Sequence, residues 1–147
     1  MLIRTATPAD IPSMMQIRLA VRENVLSNPD LVTEADCLEF INRRGKGWVC
    51  ETEEGIAGFA IADLQDDNIW ALFIAPEYEG RSIGRKLHDT MLGWYFEQGK
   101  EQVWLGTAPG TRAADFYRKA GWRESGLHGN NEIKFEMTRE RWLGNRS

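Results

Sequence analysis

Two cysteines and two histidines are all this chain has of the residues that build disulfide frameworks and metal sites. Cys37 and Cys50 are too few to lock a small secreted scaffold, and His88 and His128 offer no metal-ligand spacing. A reduced, cytoplasmic, metal-free protein is the expectation. Long apolar runs are missing as well. None approaches the roughly 20 residues that span a bilayer, and Arg4 and Asp10 interrupt the N-terminus where a signal peptide would be apolar. A surplus of positive charge is the third absence. With a net charge of −4, no global field attracts nucleic acid or an anionic membrane. Repeats, linkers and low-complexity segments are also lacking, so the 147 residues read as a single domain, 1–147.

What is present centres on Asn68 to Trp94. Ile69 to Ala75 is an apolar, aromatic-rich run closed by Pro76, the pattern of a buried strand. Ile83, Leu87, Met91 and Trp94 then recur at helical spacing. Between them, Gly80-Arg81-Ser82-Ile83-Gly84-Arg85-Lys86 holds two glycines and three cations. A strand-to-helix junction of this kind aims main-chain N–H groups and the positive end of the helix dipole at one point, so it predicts an anion site, with phosphate the expected occupant.

The flanking chain supplies the other elements. Leu2 to Ala6 alternates as a short edge strand. Thr7-Pro8-Ala9-Asp10 offers a cap for a helix carrying Met14, Ile17, Val21 and Val25, expected to stop by Ser27-Asn28-Pro29. Thr33-x-x-Asp36 opens a second helix ending near Gly45. Strands follow from Trp48 and over Ile56–Leu64, joined by a turn at Glu53-Glu54-Gly55, with Gly58 a bulge or a close backbone approach. After the long helix come a short strand at Val103–Gly106, a helix from Pro109 to Ala120, and extended chain from Gly121-Trp122. A turn over Gly126–Asn131 leads to a last strand, Glu132–Thr138. The order is β-α-α-β-β-β-α-β-α-β-β, an α/β fold with a mixed sheet.

Spacing discriminates among glycine-rich loops. Three residues separate Gly80 from Gly84, and Arg85 follows, so neither the P-loop nor the G-x-G-x-x-G pattern fits. The stretch instead resembles motif A of the GNAT N-acetyltransferases, Q/R-x-x-G-x-G/A, with Glu79 in place of Gln or Arg, Ser82 at the middle glycine, and Gly84 matching. Ala113-x-x-Phe116-Tyr117-x-x-x-Gly121-Trp122 resembles the same family's motif B, with Gly110 at its usual Asn position. The element order resembles the family over essentially the whole chain.

The resemblance implies a central parallel strand pair, around Leu72 and Leu105, that splays apart. Backbone groups of Leu72, Phe73 and Ile74 would then bond the pantetheine arm of acetyl-CoA, the implied co-substrate. Its diphosphate would rest on N–H groups from Gly80 through Arg81, Ser82, Ile83 and Gly84 to Arg85. Arg81, Arg85 and Lys86 are side-chain candidates for phosphate, against the alternative of a solvated helix face. Ala113 and Phe116 read as packing on the cofactor-binding motif.

By the same resemblance, acetyl passes directly from thioester to amine, and Tyr117 is the general acid at the sulfur. From helix periodicity alone Tyr117 reads as a packed aromatic whose hydroxyl finds a backbone partner. An N–H near Ile74 would polarise the thioester carbonyl. Glu23, Asp67, His128 and Glu132 are all open as the base, as is direct proton loss to water. For the acceptor, a small-molecule or protein amine, Arg22, Glu23 and Trp70 are candidates. Trp48 and Trp70 would wall a pocket, Glu23 with Glu132 would suit a cationic amine, and Arg18 with Arg22 a carboxylate. A non-catalytic acyl-CoA-binding module is the competing reading. Relatives often form homodimers, and the tail around Trp142 and Leu143 would be exposed to cover a partner.

Overall fold

Residues 1–21, 32–129 and 131–145 are described in this computed structural model of the chain. They form two compact units, Met1–Trp94 and Tyr95–Ser147. In the first, four strands make an antiparallel sheet in sequence order: β1 (Leu2–Thr5), β2 (Gly45–Thr52), β3 (Gly55–Asp63) and β4 (Asn68–Ile74). The tight turns predicted at Glu53-Glu54-Gly55 and around Asp67 make successive strands antiparallel neighbours. β2 begins at Gly45, three residues earlier than its apolar run announces. Gly45 and Gly47 carry no side chain to reveal the alternation, and a Cβ on Gly45 would lie 1.8 Å from the Ala62 carbonyl oxygen.

Both faces of this sheet are covered. Val49, Phe59, Ile61 and Ala71 point to the side packed by Met14 and Ile17 of α1 (Ile11–Ala20) and by Cys37 of α2 (Glu34–Glu39). Trp48 and Gly58 point the other way. Trp48 meets Trp94 edge-on at 5.3 Å, and a Cβ on Gly58 would stand 3.3 Å from Leu87, both partners on α3 (Ile83–Glu97). Gly58 is thus the close backbone approach that was expected, and the register shift falls beside it, between Cys50 and Glu51 on β2. The helix starts follow their caps. Thr33 and Asp36 bond reciprocally, side chain to backbone N–H, at 2.9 and 3.1 Å. Thr7 and Asp10 flank a single 3-10 turn over Pro8–Asp10 before α1. The expected extension of the first helix through Val25 lies beyond Val21, outside the described residues.

In the second unit, β5 (Gln102–Thr107), β6 (Arg123–His128) and β7 (Glu132–Thr138) are antiparallel, with β7 between the other two. Two expectations are corrected. Gly126 to His128 belongs to β6 rather than to the turn, because a register shift between Glu124 and Gly126, with Gly126 at φ 135°, lets the strand continue. The C-terminal tail is a helix, α5 (Arg139–Asn145), and Trp142 is buried, stacked 6.4 Å from Phe96. Only Leu143 of the supposed partner-covering pair is exposed.

A half-buried ion pair ties β1 to the first turn. The Arg4 guanidinium grips the Asp10 carboxylate with both terminal nitrogens, at 2.8 and 2.9 Å, and Thr7 N–H donates to the same carboxylate at 2.8 Å. The hydrogen bonds from Arg4 hold the Asp10 carboxyl below its ordinary range. A depressed folded-state pKa contributes stability above the unfolded value of about 3.9 and loses it as pH falls through the folded one. Asp10→Ala should therefore cost about 2 kcal/mol at neutral pH, and part of that difference should vanish in urea unfolding below about pH 3.

Candidate active site

Pro76 ends β4 and, with Glu77 and Tyr78, makes one 3-10 turn. The chain then passes Gly80 at φ 77° and Ser82 at φ 65°, two left-handed positions one residue apart, before α3 begins. Lys86 N–H donates to the Ser82 carbonyl at 3.1 Å and closes the first helical turn. Upstream, Glu79 N–H is taken by Pro76. The N–H groups of Gly80 to Arg85 find no acceptor among the described residues. Successive free donors at a helix start, reinforced by its dipole, are the arrangement that binds phosphate. The backbone at the motif's middle position is left-handed, so glycine fits there freely and Ser82 adopts it at a cost of about 1 kcal/mol.

The three cations of the loop are not equivalent. Arg85 Nε lies 3.2 Å from Asp89 on the same helix face, which is the solvated-face alternative. The Arg81 guanidinium sits over the Tyr78 ring at 5.2 Å. Lys86 is exposed and makes no ion pair among the described residues. Upstream on β4, Leu72, Phe73 and Ile74 pair along one edge with Ala60, Phe59 and Gly58.

Tyr117 lies in the second unit on α4 (Arg112–Lys119). That helix starts three residues after Pro109, because Gly110 is left-handed (φ 74°) and Thr111 is the cap, accepting from Ala114 N–H at 3.2 Å. Its buried stripe is Ala114, Tyr117 and Ala120, with Ala113 and Phe116 half-buried beside it. The Tyr117 ring meets Phe116 and Trp122 edge-on at 5.3 and 5.5 Å and lies tilted on Phe135 at 5.9 Å. No described residue accepts its hydroxyl, as the packed-aromatic alternative would require. Burial pushes the phenol well above its ordinary pKa, so it is a proton donor at any working pH.

The remaining candidates divide. Arg22 and Glu23 lie outside the described residues. Trp70 is on the α1–α2 side of the sheet, stacked 4.0 Å from Phe40, whereas Trp48 is on the α3 side. The two tryptophans cannot wall one pocket. The reason is a register shift between Ile61 and Ala62 that leaves Trp70 unmatched on β3 and turns it toward the same side as Ala71. His128 and Glu132 are cross-strand partners. The His128 ring lies 4.7 Å from that of Trp104, and the absence of a side chain on Gly106 makes room for His128 and Glu132. Asp67 occupies a left-handed turn position (φ 55°). Cys37 and Cys50 are buried and burial raises both thiol pKa values, so neither is a ready nucleophile.

The left-handed position of Ser82 yields a stability test. Ser82→Gly should stabilise the protein by roughly 1 kcal/mol, and Ser82→Val should destabilise it by at least as much, since a β-branched residue tolerates positive φ least. Urea midpoints of the two variants check both signs.

With the geometry in place, the chain can be set beside known proteins. A model of the acetyltransferase (GNAT) family matches residues 11–122. No curated protein sequence matches significantly. Solved structures share the fold over nearly their full length. One is the PaiA N-acetyltransferase of Thermoplasma acidophilum in complex with coenzyme A (TM-score 0.82, 15% identity, 93% of this chain and 98% of that one). Another is a ribosomal-protein-alanine N-acetyltransferase of Brucella melitensis (TM-score 0.76, 22% identity, 94% and 99%). A third is a mutant of the spermidine N-acetyltransferase SpeG of Vibrio cholerae (TM-score 0.74, 15% identity, 99% and 98%). At these identities the likeness is one of fold. The family match covers well over half of the sequence, and with it the chain belongs to the acetyltransferase (GNAT) family.

Proposed function

We propose that this protein is an N-acetyltransferase that moves an acetyl group from acetyl-CoA directly to a primary amine of a small molecule or protein. The observation that carries the reading is the run of N–H groups from Gly80 to Arg85 without an acceptor among the described residues, at the start of a 15-residue helix. Those donors fit a diphosphate, with Lys86 and Arg81 as the side chains free to add charge. Leu72, Phe73 and Ile74 offer main-chain groups to the amide-bearing arm, and Ala113 and Phe116 its packing. A structural relative binds coenzyme A, consistent with this assignment.

Acetyl-CoA supplies an activated acyl carbon and a thiolate leaving group. The chain has two tasks around them. An acceptor amine with pKa near 10 must lose a proton, which costs about 4 kcal/mol at neutral pH, and water relays suffice as the sink. The departing sulfur must be stabilised, and Tyr117, protonated throughout, donates to it. Two buried, protonated cysteines favour direct transfer over an acyl-enzyme.

Calorimetry with coenzyme A and a thiol-release assay over an amine panel test the proposal. Tight binding without turnover on any amine would favour the non-catalytic acyl-CoA-binding module. Tyr117→Phe should lower kcat by about 100-fold or more while leaving coenzyme A affinity nearly unchanged; undiminished turnover removes Tyr117 from the mechanism. Gly84→Val should weaken coenzyme A binding by about tenfold or more through loss of the loop's close approach, and an unaltered isotherm counts against the loop.

A further inference from the structure

Arg18 stands apart from the other described arginines that lie against the folded core. Arg4 is held by Asp10 and Glu51, and Arg44 by Asp63 and Asp66. Arg18 projects from α1 over the aromatic side chains of β4, its guanidinium carbon 5.6 Å from the Trp70 ring centre and 5.2 Å from that of Phe73. Its Nη1 is fully buried and has no hydrogen-bond partner among the described residues. Among the described residues, the ionisable group that acts on it is the Cys37 thiol, which burial keeps neutral. Desolvation therefore works against the guanidinium charge, with no carboxylate among the described residues to offset it.

We propose that Arg18 binds the acceptor, and that the amine acetylated by this protein carries a carboxylate. The inference rests on the N-acetyltransferase reading and adds the substrate class. A guanidinium presents a planar fork that matches a carboxylate bidentately. Trp70 and Phe73 beneath it form an apolar wall, with Phe40 stacked on Trp70, that suits the body of an amino acid. One cation in such a setting balances one negative charge, which favours a carboxylate over a dianionic phosphate. The group also overhangs Phe73, in the strand segment assigned above to the acetyl donor, so an amine a few bonds from the bound carboxylate is brought to the right strand. The cation–π stack with Trp70 and Phe73 keeps the guanidinium in place between turnovers.

The test compares each of the twenty common amino acids with its amide, by acetylation rate and by quenching of tryptophan fluorescence with coenzyme A present. At least one acid should be preferred over its amide by tenfold or more, chiefly in KM. Arg18→Met should abolish that preference while leaving coenzyme A affinity unchanged, and Arg18→Lys should restore only part of it. Equal use of acid and amide, absence of binding by every acid, or a preference that survives in Arg18→Met overturns the proposal. The wild-type comparison decides even if the variants fold poorly. Acetylation of amides or polyamines without selectivity defeats only the role of Arg18, whereas absence of coenzyme A binding defeats the underlying activity.

Discussion

The pairing of β4 with β3 is the constraint on which the candidate site depends. The ladder runs from Asn68 opposite Asp63 to Ile74 opposite Gly58, and it holds β4 along one edge up to the proline that stops it. At its far end only glycine is admitted. A Cβ on Gly58 would stand 2.7 Å from the Ile74 side chain and 2.8 Å from the Phe73 carbonyl. That close approach fixes where β4 ends, and so where Pro76, the left-handed loop and the first turn of α3 begin. The free N–H groups from Gly80 to Arg85 owe their common location to this anchoring as much as to the loop's own residues.

Backbone economy around the loop follows from helix physics. A helix always leaves its first N–H groups without internal partners, and natural chains usually satisfy them with a capping side chain, as Thr33 and Thr111 do here. At α3 no capping side chain stands among the described residues, and the helix begins instead after a left-handed serine. A start left uncapped and strained is unfavourable by itself, and the buried Ile83, Leu87 and Met91 stabilise the helix against that cost. The opposite face of the same sheet shows a comparable departure: an aromatic bed at Trp70 and Phe73 under a guanidinium that no described carboxylate neutralises. Local rules broken at a well-packed place point to function more readily than rules obeyed.

Much of this was legible before any coordinates. Thr33 and Asp36 announced their helix because a capping box is a local interaction between residues three apart. β7 appeared at its full length, Glu132 to Thr138, since its alternation runs unbroken. The loop between β4 and α3 was found from two glycines, a preceding proline and a helical repeat. Misreadings cluster where glycine or a register shift hides the pattern: β2 starting at Gly45, β6 continuing through Gly126, and α4 delayed by Gly110. The tail around Trp142 carried too few apolar residues to reveal a helix, yet its buried tryptophan packs on Phe96 and Arg141 donates to the Gly121 carbonyl.

Sequence alone determined the α/β class, the order of elements through β7, the glycine- and cation-rich loop between β4 and α3, and the family, because each depends on short-range spacing that the chain spells out. Tertiary structure decided which side chains share a face. The register shift beside Ala62 separated Trp70 from Trp48 and brought it under Arg18, and the packing of α4 chose Ala114 with Tyr117 as its innermost stripe. These outcomes rest on pairings between residues far apart in the chain, where a one-residue slip in a strand exchanges its two faces.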